Sequence, residues 1–369
     1  MSSACEINPK TGSLDNQFLY IDLESVVKGS LVKRQIIEKD GAPSRAQRVL
    51  KENDILYQCV RPYQLNNYIF EGDTIQCVAS TGYAQLRTTQ FPLYIFQTLH
   101  TKQFTNQVLE RCTGTNYPAI NSSDLGTVEV PICSLPEQVK IGSLLALIDS
   151  RIKTQSKIIE ELKTLRSALR QRLIYQGSSD RIPLLCFAEL KNGYAFKSNT
   201  YTETGNHAII TISNVTGERY ISTEGCNKIQ YIPSDIQDYQ ILHFGDILIS
   251  MTGNVGRVSM CAKGSYLLNQ RVGLLKIKPE YIESSEFIFQ CLRDLSFTNA
   301  MKNKGQGAAQ QNIGKGDIES YEIPWFDDAR YMKSVANLLL EFDNAVLVEE
   351  KQYVKYTVQK AWLLSKLFI

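Results

Sequence analysis

Lys102, Gln103, Asn106, Arg111, Thr113, Thr115, Asn116 and Tyr117 crowd around Gly114, and far downstream Lys302, Lys304, Gln306, Gln310, Gln311, Asn312 and Lys315 surround Gly305 and Gly307. Lysine and arginine can neutralise phosphates, while Arg, Asn and Gln can hydrogen-bond to base edges. Glycines in such loops let backbone come close to a phosphate. The residue types are those that contact with a nucleic-acid duplex would require. By composition alone a solvated loop is the first reading, because loops are polar whatever their role; the matching placement of the two loops is what raises the second. Lys33, Arg34, Arg45 and Arg48 form a further basic cluster, with the same two readings. Arg61, Arg257 and Arg271 follow strand candidates; they read first as structural arginines paired within their domains, and second as DNA contacts.

Catalytic chemistry is harder to find. No Gly-rich loop with GK[ST] suggests nucleotide hydrolysis. An amino-methylating enzyme needs an Asn/Asp-Pro-Pro-aromatic turn, but Asn8-Pro9 is followed by Lys10. The triplets Glu161–Lys163 and Glu189–Lys191 lack the Pro-Asp partner of a metal-dependent nuclease, and the first sits on a helix as a charged face. His100, His207 and His243 are scattered, so neither a metal nor a cofactor is expected. Any bond-making would come from a partner.

The elements that position these residues recur in order. YIDLESVV, DILYQCV and TIQCVA read as strands, followed by a helix over FPLYIFQTLHTKQFTNQVLER. AIITISNV, GDILISM and GLLKIKP follow as strands, then SEFIFQCLRDLSFTNAMK as a helix. DLGTVEVP from Asp124 answers DIESYEIP from Asp317: Asp124 pairs with Asp317, Glu129 with Glu322 and Pro131 with Pro324, at one offset. One residue out of that register, Asp149 pairs with Asp343. NDILYQ from Asn53 answers GDILIS from Gly245. A repeat this long is a duplicated domain, and duplication suggests a target with two similar halves.

Each copy ends in a long helix. Ile141, Leu145, Ile148, Ile152, Ile159 and Leu162 keep helical spacing from Glu137 to Tyr175. Val335, Leu339, Phe342 and Val346 do so between Asp327 and Leu367. Neither stripe can be buried by its own helix; each could pack on its own domain, but two helices of matching length and period are expected to pack together, antiparallel, as a spacer between the domains. Lys163, Arg166, Arg170 and Arg172 read as a charged outer face of that pair, with partner docking or a DNA track as the functional alternative. The class is α+β: two similar mixed α/β domains, 1–132 and 179–323, and two spacer helices, 133–178 and 324–369, packed as an antiparallel coiled coil.

A length of 369 residues allows two or three cores, and 43% hydrophobic with 21% charged residues is globular composition. A formal net charge of +2 argues only against a purely electrostatic binder. Nine cysteines without a CxxC pair read as reduced thiols. MSSACEINPK does not resemble a signal peptide, and no apolar run approaches the ~18 residues that span a membrane. A soluble, cytoplasmic protein without membrane partners is expected.

With these words in this order, the chain resembles the specificity subunit of a type I restriction–modification system. APSRAQRVLKENDILYQCVRPY, INSSDLGTVEVPICSLPEQVKIGSLLALIDSRI, HFGDILISMTGNVGRV, LNQRVGLLKIKP and NIGKGDIESYEIP carry the resemblance over nearly the whole length. It implies two target-recognition domains, each reading half of a bipartite site in double-stranded DNA. It also implies helices that dock two modification methyltransferase subunits, together with restriction endonuclease subunits. The subunit itself would be non-catalytic. The chain departs from the pattern at its short N-terminus, and in reading WFDDARYMKSVANLL where the first copy has SLPEQVKIGSLL. Two alternatives stay open: a solitary adaptor for a methyltransferase without nuclease, and a two-domain scaffold that binds protein.

Overall fold

The structure, a computed structural model, describes residues 1–10, 12–114, 116–177, 180–305 and 312–368. They form two compact units, Met1–Lys157 with Lys351–Ile369, and Ile158–Glu350.

In the first unit NDILYQ supplies the strand Ile55–Gln58, inside an antiparallel sheet ordered Cys5–Ile7, Tyr83–Thr88, Ile55–Gln58, Tyr68–Ile69. This strand shows no polar alternation because both its faces are covered. Leu56 lies with Leu19, Ile21, Ala79 and Tyr83 against a second sheet. Ile55 and Tyr57 join Tyr94, Ile95, Leu99, Phe104 and Val108 beneath the helices. The second sheet is ordered Gln35–Glu38, Gln17–Ile21, Cys77–Ser80, Ala46–Val49, its central pair parallel. Helices α1 (Pro92–Thr98), α2 (Lys102–Arg111), α3 (Ser122–Thr127) and α4 (Leu135–Arg170) follow. The single helix expected over 91–111 is thus two. The first ends at Thr98, and Thr101 caps the second, its Oγ1 accepting from the Phe104 amide at 3.2 Å.

The second unit repeats the two four-stranded sheets in the same order. One sheet is ordered Ala188–Asn192, Val272–Ile277, Ile247–Ser250, Val258–Met260, and the other Asn227–Ile229, His207–Ile210, Tyr266–Leu268, Ile241–Leu242, again with a parallel central pair. Its helices are α5 (Ser285–Leu292), α6 (Leu295–Lys304), α7 (Lys315–Glu319) and α8 (Ala329–Leu367). Here too one expected helix is two, because Asp294 caps α6 through the Ser296 amide. The turn before the repeated DIL strand is the same in both units. Asn53 has φ +70° and Gly245 φ +92°, and each aspartate that follows accepts an amide from three residues back, Lys51 or His243. Asparagine and glycine are the residues that tolerate that left-handed position.

The long helices contribute a segment to each unit. In the first unit Asp149 of α4 accepts from Gln97 Nε2 of α1 at 2.7 Å and from Lys360 Nζ of α8 at 2.5 Å. Ile141, Leu145, Ile148 and Ile152 share a core with Leu363, Leu364, Leu367 and Phe368. In the second unit Asp343 of α8 accepts from Gln290 Nε2 of α5 at 2.8 Å and from Arg166 of α4. Lys163, Arg166 and Leu173 meet Glu350, Asp343 and Tyr331 in that order, so the segments run antiparallel there. Val335 and Leu339 are in the core, Val346 is buried, and Ile159, Leu162 and Phe342 are half-buried.

One reading of the basic face is corrected. Arg166 and Arg170 are not an outer surface; they are 9% and 4% exposed. Arg166 bonds Asp343, and Arg170 Nη2 donates to Gln290 Oε1 at 2.9 Å. Arg293 and Arg219 reach the same carboxylate at 2.7 and 3.0 Å. Arg219 also makes two bonds to Glu286, of 2.8 and 2.7 Å. Helical spacing placed these arginines on the apolar stripe all along, as the polar partners of a buried acid.

Burial alone would raise the Asp343 pKa, but the Arg293 and Arg166 guanidinium groups outweigh it and hold the carboxyl at about 2. Asp343→Asn leaves Arg166 and Arg293 without a carboxylate partner, Arg219 keeping Glu286, and is expected to cost roughly 3–5 kcal/mol. Asp149→Asn, at a pair with side chains 34% and 17% exposed, should cost about 1 kcal/mol or less. Urea denaturation of both variants checks the contrast. Acid should also act on the units in different windows. His100 is held down to about 4 from 6.5, by burial and then by the Lys360 ammonium. The unfolded chain therefore takes up that proton first, and the first unit loses stability as pH falls from about 6.5 to 4. Asp343 stabilises the second unit above the ordinary carboxylate range, and that share is lost only as pH falls from about 4 to 2. Hydrogen exchange followed peptide by peptide across pH separates the two.

Candidate nucleic-acid interface

Beyond each DIL strand the backbone frame is again shared. Cys59 N donates to Gly82 O at 3.1 Å, as Met251 N does to Arg271 O at 3.1 Å. Ile120 N donates to Cys59 O, as Ile313 N does to Met251 O. Val60 bridges Ala119, and Thr252 bridges Asn312. Arg61 (φ +54°) and Gly253 (φ +67°) occupy the same left-handed turn. The segment after α2, and its counterpart after α6, is thereby brought beside the ends of the central strands.

On this common frame the side chains differ. In the second unit Asn192, Gly193, Thr252, Gln270, Arg271 and Asn312, with Met251 and Ile313, line a cleft of about 630 Å³. Its polar lining is amide, hydroxyl and guanidinium, without a carboxylate. Arg271 and Gln270 are exposed, and the Arg271 guanidinium has no acidic partner among the described residues. In the first unit the strand registers place Gly82, Thr81, Pro9 and Ala119 where the second has Arg271, Gln270, Asn192 and Asn312. There the polar feature is Arg61, whose guanidinium lies 4.3 Å from the centre of the Tyr117 ring, with Tyr117 64% exposed. Such a stacked pair offers both a cation and a flat apolar face.

The residues singled out from sequence divide by what their charges already do. Lys102, at the start of α2, and Lys302, in the last turn of α6, are exposed without an ion partner among the described residues, as are Lys33 and Arg45. Asn116 is exposed beside Tyr117. Arg34 is held by Asp73 at 2.5 Å. Arg111 is turned inward, to Gln107 O at 2.6 Å and Thr127 Oγ1 at 3.2 Å. Lys304 Nζ reaches Asp317 O and Ser320 Oγ, and Lys315 Nζ reaches Glu189 at 3.0 Å, which also pairs the Glu189–Lys191 triplet internally. Arg48 lies half-buried in the strand Ala46–Val49, its pKa lowered by burial. Thr115, Gln306 and Gln310 lie outside the described residues. The first reading of Arg271 and Arg257, as arginines paired within the domain, is replaced: both side chains are exposed and without an acidic partner among the described residues. Asn192, Thr252 and Gln270 were not singled out. The signal was the polar run NQR before a buried strand, where the side chain stays at the surface while its backbone joins the sheet.

Among the described residues no three His, Cys, Asp or Glu side chains gather as metal ligands, and no helix is long and apolar enough to cross a membrane. The nine cysteines are unpaired, and burial raises those such as Cys59, to about 11.

Comparison with known proteins supplies the family. A model described as the type I restriction modification DNA specificity domain matches twice, at residues 5–164 and 186–325. A type I restriction enzyme MjaX specificity subunit of Methanocaldococcus jannaschii is 24% identical over 284 residues, 73% of this chain and 64% of its own length. The HindI specificity subunit of Haemophilus influenzae is 24% identical over 42% of this chain and 32% of its own length. The chain thus spans less than two thirds of either relative. Among solved structures, the S subunit of a type I system from M. genitalium covers the whole chain and 94% of its own at TM-score 0.66 and 16% identity. A chain from a study of type I complex assembly and conformational transition covers the whole chain and 96% of its own at 0.54 and 17%. Those likenesses show the fold, and with the doubled family match over most of the sequence they lead to one assignment: the chain belongs to the type I restriction–modification DNA specificity family and carries two copies of its domain.

Proposed function

We propose that the protein is the DNA-recognition subunit of a type I restriction–modification complex, each of its two domains reading one half of a bipartite site in double-stranded DNA. The observation that carries this reading is the shared frame with unlike side chains: Arg271, Gln270, Asn192 and Asn312 in one unit stand where the other has Gly82, Thr81, Pro9 and Ala119. Duplication keeps the docking geometry, while different polar groups suit two different half-sites. Lys102, at the start of α2, and Lys302, in the last turn of α6, are exposed cations that supply phosphate contacts.

The chemistry belongs to partners. Modification methyltransferase subunits flip out and methylate a base in the bound site, and restriction subunits join the same assembly. The long helices offer them a surface. Val354, Val358 and Trp362 follow one face of α8 at 58%, 63% and 57% exposure, and Leu144 and Leu147 of α4 are 45% and 65% exposed. Apolar residues so regularly spaced and uncovered suit a protein partner.

Mapping of genomic methylation in cells with this chain and its neighbouring methyltransferase should give a split motif that disappears when this chain alone is deleted. An unchanged pattern from an active methyltransferase would favour the protein-binding scaffold. In the assembled complex, Lys102→Glu and Lys302→Glu should each weaken binding to all sequences and lower the slope of log affinity against log salt by about 1. Lys304→Ala and Lys315→Ala should leave that slope unchanged, their ammonium groups being engaged within the domain. Fluorescence anisotropy across a salt series reads both.

A further inference from the structure

Resting on the reading above, we infer that the cleft of the second unit takes the edge of a guanine, with Arg271 as the residue that specifies it. Arg271 is anchored unlike a loop arginine. Its carbonyl accepts from Met251 N at 3.1 Å, its amide donates to Asn269 Oδ1 at 3.2 Å, and the next residue, Val272, is fully buried in the sheet. The Cα is fixed by the sheet while the guanidinium stays exposed and free of acid among the described residues. A phosphate contact requires only an exposed cation. This one stands in a concavity of about 630 Å³ rimmed by Asn192, Gln270 and Asn312, whose side-chain amides match base edges. A rigidly placed arginine pairs best with the two acceptors of guanine, O6 and N7, in the major groove.

The first unit offers no arginine at the equivalent position, which is Gly82. A Cβ added there would lie 3.0 and 3.1 Å from Cδ1 and Cγ of the half-buried Leu23, which would have to give way by a few tenths of an ångström. The difference between the two rims is built into the packing beneath them.

The test uses the complex in cells, with the methylated motif mapped for wild type, Arg271→Ala and Arg271→Lys. Thermal melting of each purified variant comes first, and because Arg271 is exposed the three should agree. The expected result for Arg271→Ala is relaxation at one guanine position in one half-site. Preference for that base should fall on the order of tenfold or more, with the other half unchanged. Arg271→Lys should keep part of the preference, since lysine also donates to guanine. An intact motif with uniformly reduced methylation would make Arg271 a phosphate contact and overturn the inference. So would an unaltered motif at full methylation, or relaxation at a position where neither strand carries guanine. Absence of any split motif in the wild type would instead remove the recognition reading itself.

Discussion

A carboxylate on a long helix, met by a buried glutamine from a short helix and by a cation from the other long helix, is the joint that sets the register of the long helices in each unit. Asp149 with Gln97 and Lys360 makes it in the first unit; Asp343 with Gln290 and Arg166 makes it in the second. Gln97 and Gln290 are 1% and 0% exposed, and each sits among the apolar residues of an IFQ segment facing the sheet. An unpaired amide or carboxylate there would be costly, so the three groups fix one register of helix on helix and of helix on sheet together. A slide of either long helix by one turn would strand all three. Buried polar groups of this kind serve uniqueness of packing more than stability, since an apolar isostere could supply the latter.

The two joints are not equal. Asp343 gathers three guanidinium groups and is shut away from water, whereas Asp149 has one ammonium and remains a third exposed. His100 stands where the second unit has Arg293. Burial keeps His100 neutral, so the first joint lacks a cation that the second possesses. Duplication preserved the geometry and let the charge content drift.

Much of this was legible in the sequence, for identifiable reasons. The DIL strands were visible because β-branched and leucine residues follow an Asn-Asp or Gly-Asp turn whose left-handed position admits few residue types. The long helices were visible because their apolar spacing runs for many turns without proline. Asp149 and Asp343 were seen only as matching letters. Their partners are scattered over three elements, and no local pattern announces them. For the same reason Arg166 and Arg170 were misread: a charged residue on a helix defaults to solvent, and only Asp343 and the Gln290 of the IFQ segment, both distant in sequence, reverse that. The break at Thr101 was hidden because the apolar residues of α1 and α2 remain roughly in phase across it. The polar residue types of the two rims were readable. Which cations were already committed was not, since Lys304 and Lys315 differ from Lys302 only in the acceptors the fold brings to them.

How one fold can carry two unlike rims follows from where the variation sits. Positions that vary between the rims, such as Gly82 against Arg271 and Ala119 against Asn312, lie on backbone held by the same hydrogen bonds in both units. A side chain there can change without altering the frame, provided the layer beneath makes room. Leu23 closes that room in the first unit, and the first unit turns instead to Arg61, raised on a left-handed turn and laid against Tyr117. At the equivalent turn the second unit has Gly253, which has no side chain to offer. Each domain thus leaves one corner of the rim bare and loads the other. A side chain introduced at Gly82 would need Leu23 to give way by a few tenths of an ångström, whereas the exposed Arg271 can be exchanged with no change beneath it.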